Sequence, residues 1–151
     1  MKEVNKVQNN SSVVTVVGGG LAGCEAAYQL AKAGFEVYLY DMKPTKKSPA
    51  HHADTLCEIV CSNSLKSNLL STASGVLKKE LEILDSIVLK TAQACAVPAG
   101  SALAVDRELF TQKMDEIIKN NPKIHFFNKE IAEIPQGDVI IATGPLTSNV
   151  L

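Results

Sequence analysis

The stretch that decides the fold is Val13-Val14-Thr15-Val16-Val17, then Gly18-Gly19-Gly20-Leu21-Ala22-Gly23, a helical segment to Gly34, and Phe35-Glu36-Val37-Tyr38-Leu39-Tyr40-Asp41. The β-branched opening run reads as a strand buried on both faces, the pattern of a central parallel strand. Behind the glycines, Ala22, Ala26 and Leu30, with Ala27 and Ala31, recur at spacing four and mark one helical face. Gly34 ends that helix as a left-handed cap, and Phe35 to Tyr40 alternates like a second strand. Val13 to Asp41 is therefore one βαβ unit, whose crossover is right-handed and whose strands are parallel.

Gly18-x-Gly20-x-x-Gly23 between strand and helix fits the dinucleotide fingerprint. The first glycine makes the tight turn, the second lets backbone approach a pyrophosphate, and the third lets helix pack on strand. The unpaired amides at the helix start, with the positive end of its dipole, then hold phosphates without an arginine, and Gly18, Gly19, Gly20, Leu21, Ala22 and Gly23 are the candidate cofactor residues. Asp41 lies 23 residues after Gly18 and 18 after Gly23. An acid there accepts from a ribose diol and repels a 2′-phosphate, which favours FAD or NAD over NADP. Val139-Ile140-Ile141-Ala142-Thr143-Gly144 resembles the strand and Ala-Thr-Gly turn late in the FAD domain of two-dinucleotide flavoproteins, which adds Thr143 and Gly144 to the cofactor residues. The plain alternative is a buried strand ending in any convenient glycine turn.

Composition narrows the partners. The chain has 151 residues, 46% hydrophobic and 21% charged, with mean hydropathy +0.07, so disorder, collagen and coiled coil are excluded. No run reaches the ~18 apolar residues of a membrane helix, and no secretory signal opens the chain, so a cytoplasmic location is expected. Sixteen acids against fifteen bases and a pI near 6.3 are not the footprint of a free-standing nucleic-acid binder. Arg107 is the one arginine. Cys24, Cys57, Cys61 and Cys95 read as free thiols in that compartment. Cys57 and Cys61 have no second pair to complete a zinc site, although His51 and His52 stand upstream, so no metal is expected.

Residues 1–12 are polar and aperiodic and are expected to form a disordered leader, with 13–151 forming the N-terminal portion of the nucleotide-binding domain. Met42 to Thr72 lacks periodicity, and a connection of that length is functional or disordered. Leu77, Leu81, Leu84 and Val88 fall on one helical face. Asp106 caps a helix with core stripe Phe110, Met114, Ile117 and Ile118, halted at Asn120-Asn121-Pro122. Ile124–Phe127 and Ile131–Ile134 look like strands of a small sheet, and Val139–Ala142 like a further buried parallel strand. The fold class is α/β: a Rossmann-like parallel sheet with flanking helices and a small antiparallel strand set, incomplete at the C-terminus.

Five blocks carry a family resemblance: Gly18 to Ala27; Pro49-Ala50-His51-His52; Val60-Cys61-Ser62-Asn63-Ser64-Leu65-Lys66-Ser67-Asn68; Val97-Pro98-Ala99-Gly100-Ser101-Ala102-Leu103-Ala104-Val105-Asp106-Arg107; and Ala142-Thr143-Gly144-Pro145-Leu146-Thr147-Ser148. Together they resemble the folate- and FAD-dependent tRNA (uracil-5-)-methyltransferases, the TrmFO family. The glycine block is shared with the sister family of wobble-uridine modifying flavoproteins (MnmG, also called GidA). The likeness covers the N-terminal part of such an enzyme, so the end of the FAD sheet, an RNA-binding insert domain and a second functional cysteine are expected outside these residues. Asp41, Lys66 and Ser101 depart from the family's Glu, Arg and Gly.

The resemblance implies FAD as cofactor, methylenetetrahydrofolate as methylene donor, NADPH or NADH as reductant, and C5 of a T-loop uridine (m5U54) in tRNA as acceptor, with no stable protein partner. Its alternatives are a uridine of large-subunit ribosomal RNA, carboxymethylaminomethyl transfer to a wobble uridine as in MnmG, or a non-catalytic flavin-binding fragment. Uracil C5 is a poor nucleophile until a group adds at C6, and Cys61 matches the family's active-site cysteine. Whether it attacks the uracil or assists methylene transfer stays open, as does simple packing. A thiolate needs nearby positive charge, for which Lys66 and His52 are at hand. His52, Asn63, Ser64 and Lys66 are the candidate substrate residues.

Overall fold

The computed structural model describes residues 12–151, so the leader expected over 1–12 lies, Ser12 apart, outside the described residues. The elements run β1 (Val13–Val17), α1 (Leu21–Lys32), β2 (Glu36–Asp41), β3 (Ser64–Ser67), α2 (Ala73–Ile83), α3 (Ile87–Ala94), β4 (Ala96–Val97), β5 (Ala102–Val105), α4 (Arg107–Lys119), β6 (Ile124–Asn128) and β7 (Asp138–Ile141), closed by a 3-10 turn at Gly144–Leu146. One sheet has the order β6-β2-β1-β7, and all three of its pairings are parallel. A second has the order β3-β5-β4 with antiparallel pairings. This is a Rossmann-like α/β fold. The chain leaves β1 toward β2 on one side and returns as β7 on the other, which opens a crevice at the C-terminal end of β1.

Apolar periodicity builds the core. Val16, Val37 and Leu39 from the parallel sheet meet Cys24, Ala27 and Ala31 of α1 and Phe110, Met114 and Ile118 of α4 in one buried cluster. Helix α4 begins where its cap predicts, with Asp106 Oδ1 accepting from the Leu109 amide at 3.1 Å. Gly34 has φ +102°, the left-handed cap expected of it.

The expected apolar face of Leu77, Leu81, Leu84 and Val88 does not form one helix. Asp85 turns the chain with φ +61°, and Leu77 and Leu84 are left exposed. The reason is a cap supplied by a distant carboxylate. Ser86 Oγ accepts from the Leu89 amide at 3.1 Å, while Glu25 of α1 accepts from Ser86 Oγ at 2.7 Å and from the Val88 amide at 3.0 Å. An anionic cap starts a new helix there, at right places for Ile87, Leu89 and Ala92 to be buried.

Strand assignment also changes after residue 120. Ile124–Phe127 lies in β6, which joins the parallel sheet beside β2, and 131–134 form no strand. Cross-strand stacking explains the preference: the rings of Tyr40 and Phe127 stack with centroids 4.9 Å apart, and Ile124 is buried. The antiparallel set is instead β3, β4 and β5, of which β3 falls inside the segment read as aperiodic. β7 is a half-exposed edge strand, with Ile141 46% exposed, rather than a buried one. Among the described residues no helix is long and apolar enough to cross a membrane.

Replacing Glu25 by Ala removes the acceptor from the start of α3 and is expected to cost about 1–3 kcal/mol of stability, measured by urea denaturation. Unchanged stability would show that Ser86 alone suffices.

Candidate functional site

The turn between β1 and α1 is gripped from several sides. Gly18 N donates to Tyr40 O at 2.8 Å, and Gly19 N donates to Asp41 Oδ2 at 2.6 Å. The Cys57 amide donates to Gly19 O at 2.9 Å, and the thiols of Cys24 and Cys57 donate to Gly19 O and Gly20 O at 3.4 and 3.6 Å. The neighbouring Cys24 thiol and burial push the Cys57 thiol well above its ordinary range, so it stays protonated and able to donate. A Cβ on Gly23 would stand 1.8 Å from Gly18 O, and one on Gly19 would stand 2.4 Å from Leu56 Cδ2. At Gly23 the clash is with backbone and excludes any side chain, whereas at Gly19 it is with the Leu56 and Asp41 side chains, which would have to move.

What this grip leaves free is the helix start. Gly20 is the N-cap of α1, no side chain caps it, and no acid lies in the first turn. The first amides of a helix have no intrahelical acceptor. A Cβ on Gly20 would meet nothing within 4 Å, so this backbone faces open space. That space is an open cleft lined by Gly18 to Ala22, Asp41, Lys43, Glu58, Thr143 and Gly144 among others. A cradle of bare amides at a helix N-terminus, with a carboxylate beside it, fits a dinucleotide diphosphate and ribose. Asp41 Oδ1 also accepts from the Lys43 amide at 2.8 Å, and the carboxylate retains lone pairs for a diol. Thr143 Oγ1 pairs with Thr147 Oγ1 at 2.6 Å, and Gly144 has φ +71° where the chain turns into the 3-10 segment. A further recess continues from Gly18, Asp41 and Thr143 toward Lys129, Glu130 and Ile131, the last of which was expected in a strand rather than at the site.

Cys61 is exposed and lines a separate, open cavity with Ser62, Asn63, Asp106 and Arg107. Arg107 also lines the adjoining cavity, with His52, Glu58 and Val60, and the last two line the dinucleotide cleft as well. Burial pulls the Glu58 carboxyl upward, yet the amides of His52 and Ala53 hold it below the usual range. Of the candidate substrate residues, Asn63 stands beside Cys61, and His52 is one cavity away. Ser64 is half-buried in β3, where its hydroxyl accepts from the Lys66 amide at 3.1 Å. Lys66 does not line the Cys61 cavity; its charge, after burial, lowers the Lys78 amine on α2. The cation in the cavity wall is Arg107. Among the described residues there is no cluster of three or more potential metal ligands.

Sequence reasoning missed residues 55–60 as part of the site. Their signal is not periodic: Leu56 and Cys57 are buried against the glycine turn, and Cys57 has φ +56°.

Comparison with known proteins agrees with this architecture. A TrmFO methylenetetrahydrofolate--tRNA-(uracil-5-)-methyltransferase of Bacillus cytotoxicus is 55% identical over 141 residues, 93% of this chain and 32% of that protein. Its namesake in Bacillus cereus strain AH820 is 55% identical over 138 residues, 91% of this chain and 32% of that protein. The chain thus spans about a third of the length of these relatives. A solved structure of Aquifex aeolicus GidA superposes with TM-score 0.64 at 19% identity, covering 82% of this chain and 20% of that one, a likeness of fold. Residues 13–151 match the family model described as glucose inhibited division protein A, and the chain belongs to that family.

Proposed function

We propose that the protein takes part in folate- and flavin-dependent methylation of uracil C5 in tRNA, with FAD held in the glycine cleft and Cys61 at the reacting base. Bound there in reduced form, FAD supplies the electrons that turn a folate-borne methylene into a methyl. The chain's own residues do the holding. The amides of Gly20 to Gly23 face the diphosphate, Asp41 accepts from the ribose diol, and Thr143 and Gly144 close the cleft from β7.

One observation carries the reading: the cleft, the His52 cavity and the Cys61 cavity share walls in sequence, through Glu58 and Val60 and then Arg107. A thiol whose cavity shares a wall residue with the recess beside a dinucleotide site is suited to chemistry that joins the two. The activity for which these relatives are named supplies the substrate class. The decisive assay incubates the full-length protein with uridine-containing tRNA, methylenetetrahydrofolate, FAD and NADPH or NADH. 5-Methyluridine is the expected product. Its absence, or a carboxymethylaminomethyl product when glycine is supplied, overturns the proposal, and product on ribosomal RNA alone replaces tRNA as the substrate.

Cys61→Ala is expected to lower methylation by about a hundredfold or more. Because Cys61 is exposed, stability should move by no more than about 0.5 kcal/mol in denaturant titration. Retained activity would leave that thiol without a chemical role. Asp41→Ala removes both the diol acceptor and the acceptor of the Gly19 amide, and should raise the Kd for FAD about ten- to a hundredfold, read by flavin fluorescence.

A further inference from the structure

Lys43 is only 4% exposed, an unusual place for a lysine. Its Nζ donates to Thr55 O at 2.6 Å and makes no other hydrogen bond or ion pair among the described residues. An ammonium carries three donors, so two remain unspent. A neutral carbonyl cannot offset the desolvation of a charge, and the Glu58 carboxylate, which feels the Lys43 charge, makes no ion pair with it, so the unspent donors call for a closer anion.

The surroundings show which anion. Asp41 bridges the Gly19 amide and the Lys43 amide, while the segment that accepts from Lys43, Thr55 to Cys57, packs on Gly19 and Gly20. The ammonium is therefore anchored on the strip that clamps the glycine turn. The cleft wall holds two carboxylates, Asp41 and Glu58, and Lys43 is its one lysine or arginine. A diphosphate entering beside those carboxylates meets repulsion that helix amides only partly offset.

We propose that Lys43 is the charge partner of the cofactor's diphosphate, completing an anion site whose other half is the start of α1. This rests on the dinucleotide reading above and assigns a role to a residue outside the glycine fingerprint. Removing the charge weakens every ligand that carries the diphosphate and spares the fold of the empty protein, because one neutral hydrogen bond and the field of Glu58 do not offset the ammonium's burial.

The test is ligand titration and thermal melting of full-length wild type, Lys43→Met and Lys43→Arg, with FAD and ADP as probes. Expected are losses of about ten- to a hundredfold for both ligands in Lys43→Met, partial recovery in Lys43→Arg, and a ligand-free melting temperature for Lys43→Met at or above wild type. Equal binding by Lys43→Met overturns the inference and leaves the dinucleotide reading intact. A loss for FAD without a loss for ADP overturns it too, by placing the charge at the flavin end. So does a Lys43→Met protein that melts earlier or fails to fold, which makes the lysine a structural group. Wild type that binds neither probe removes the dinucleotide reading itself, and this inference with it.

Discussion

A close approach of two backbones, Gly23 of α1 against the carbonyl of Gly18, sets everything else in place. Only a residue without a Cβ lets the helix start so near the end of β1, and only that nearness aims the first amides of α1 into the crevice between β2 and β7. The turn cannot then be braced by its own side chains, since it has none. Bracing comes from outside, through Asp41 at the end of β2 and through Leu56 and Cys57 in the long connection that follows. The long polar segment thus braces the glycine turn and also carries the exposed Cys61.

Positive groups are few around the cleft and the cavities beside it. The chain carries one arginine, and it stands at the first position of α4 between the Cys61 cavity and the His52 cavity. Glu58 sits where the cleft meets the next cavity, and its carboxylate is spent on the amides of the loop it closes.

Legibility followed periodicity. The βαβ unit, the Asp41 terminus of β2, the cap and stripe of α4 and the parallel β7 were all readable, because each is decided by contacts within its own segment or by a repeat of apolar residues. The break between α2 and α3 was not, because the cap that starts α3 comes from Glu25, some sixty residues earlier. β6 was placed in the wrong sheet for a similar reason: its preference rests on Tyr38 and Tyr40 across the strand boundary. At the site, the glycines and Asp41 announced themselves by spacing. Lys43, Leu56 and Cys57 did not, since burial beside a turn leaves no pattern, and Lys66 drew attention through its neighbours in the chain although β3 carries it toward Lys78.

The central claim is that bare amides at the start of α1 hold a diphosphate. A crystal structure of the protein grown with FAD tests it most directly. The account predicts phosphate oxygens about 2.7–3.2 Å from backbone nitrogens between Gly20 and Gly23, with a ribose hydroxyl on Asp41. Diphosphate density elsewhere, with those amides facing only solvent or another side chain, would contradict it.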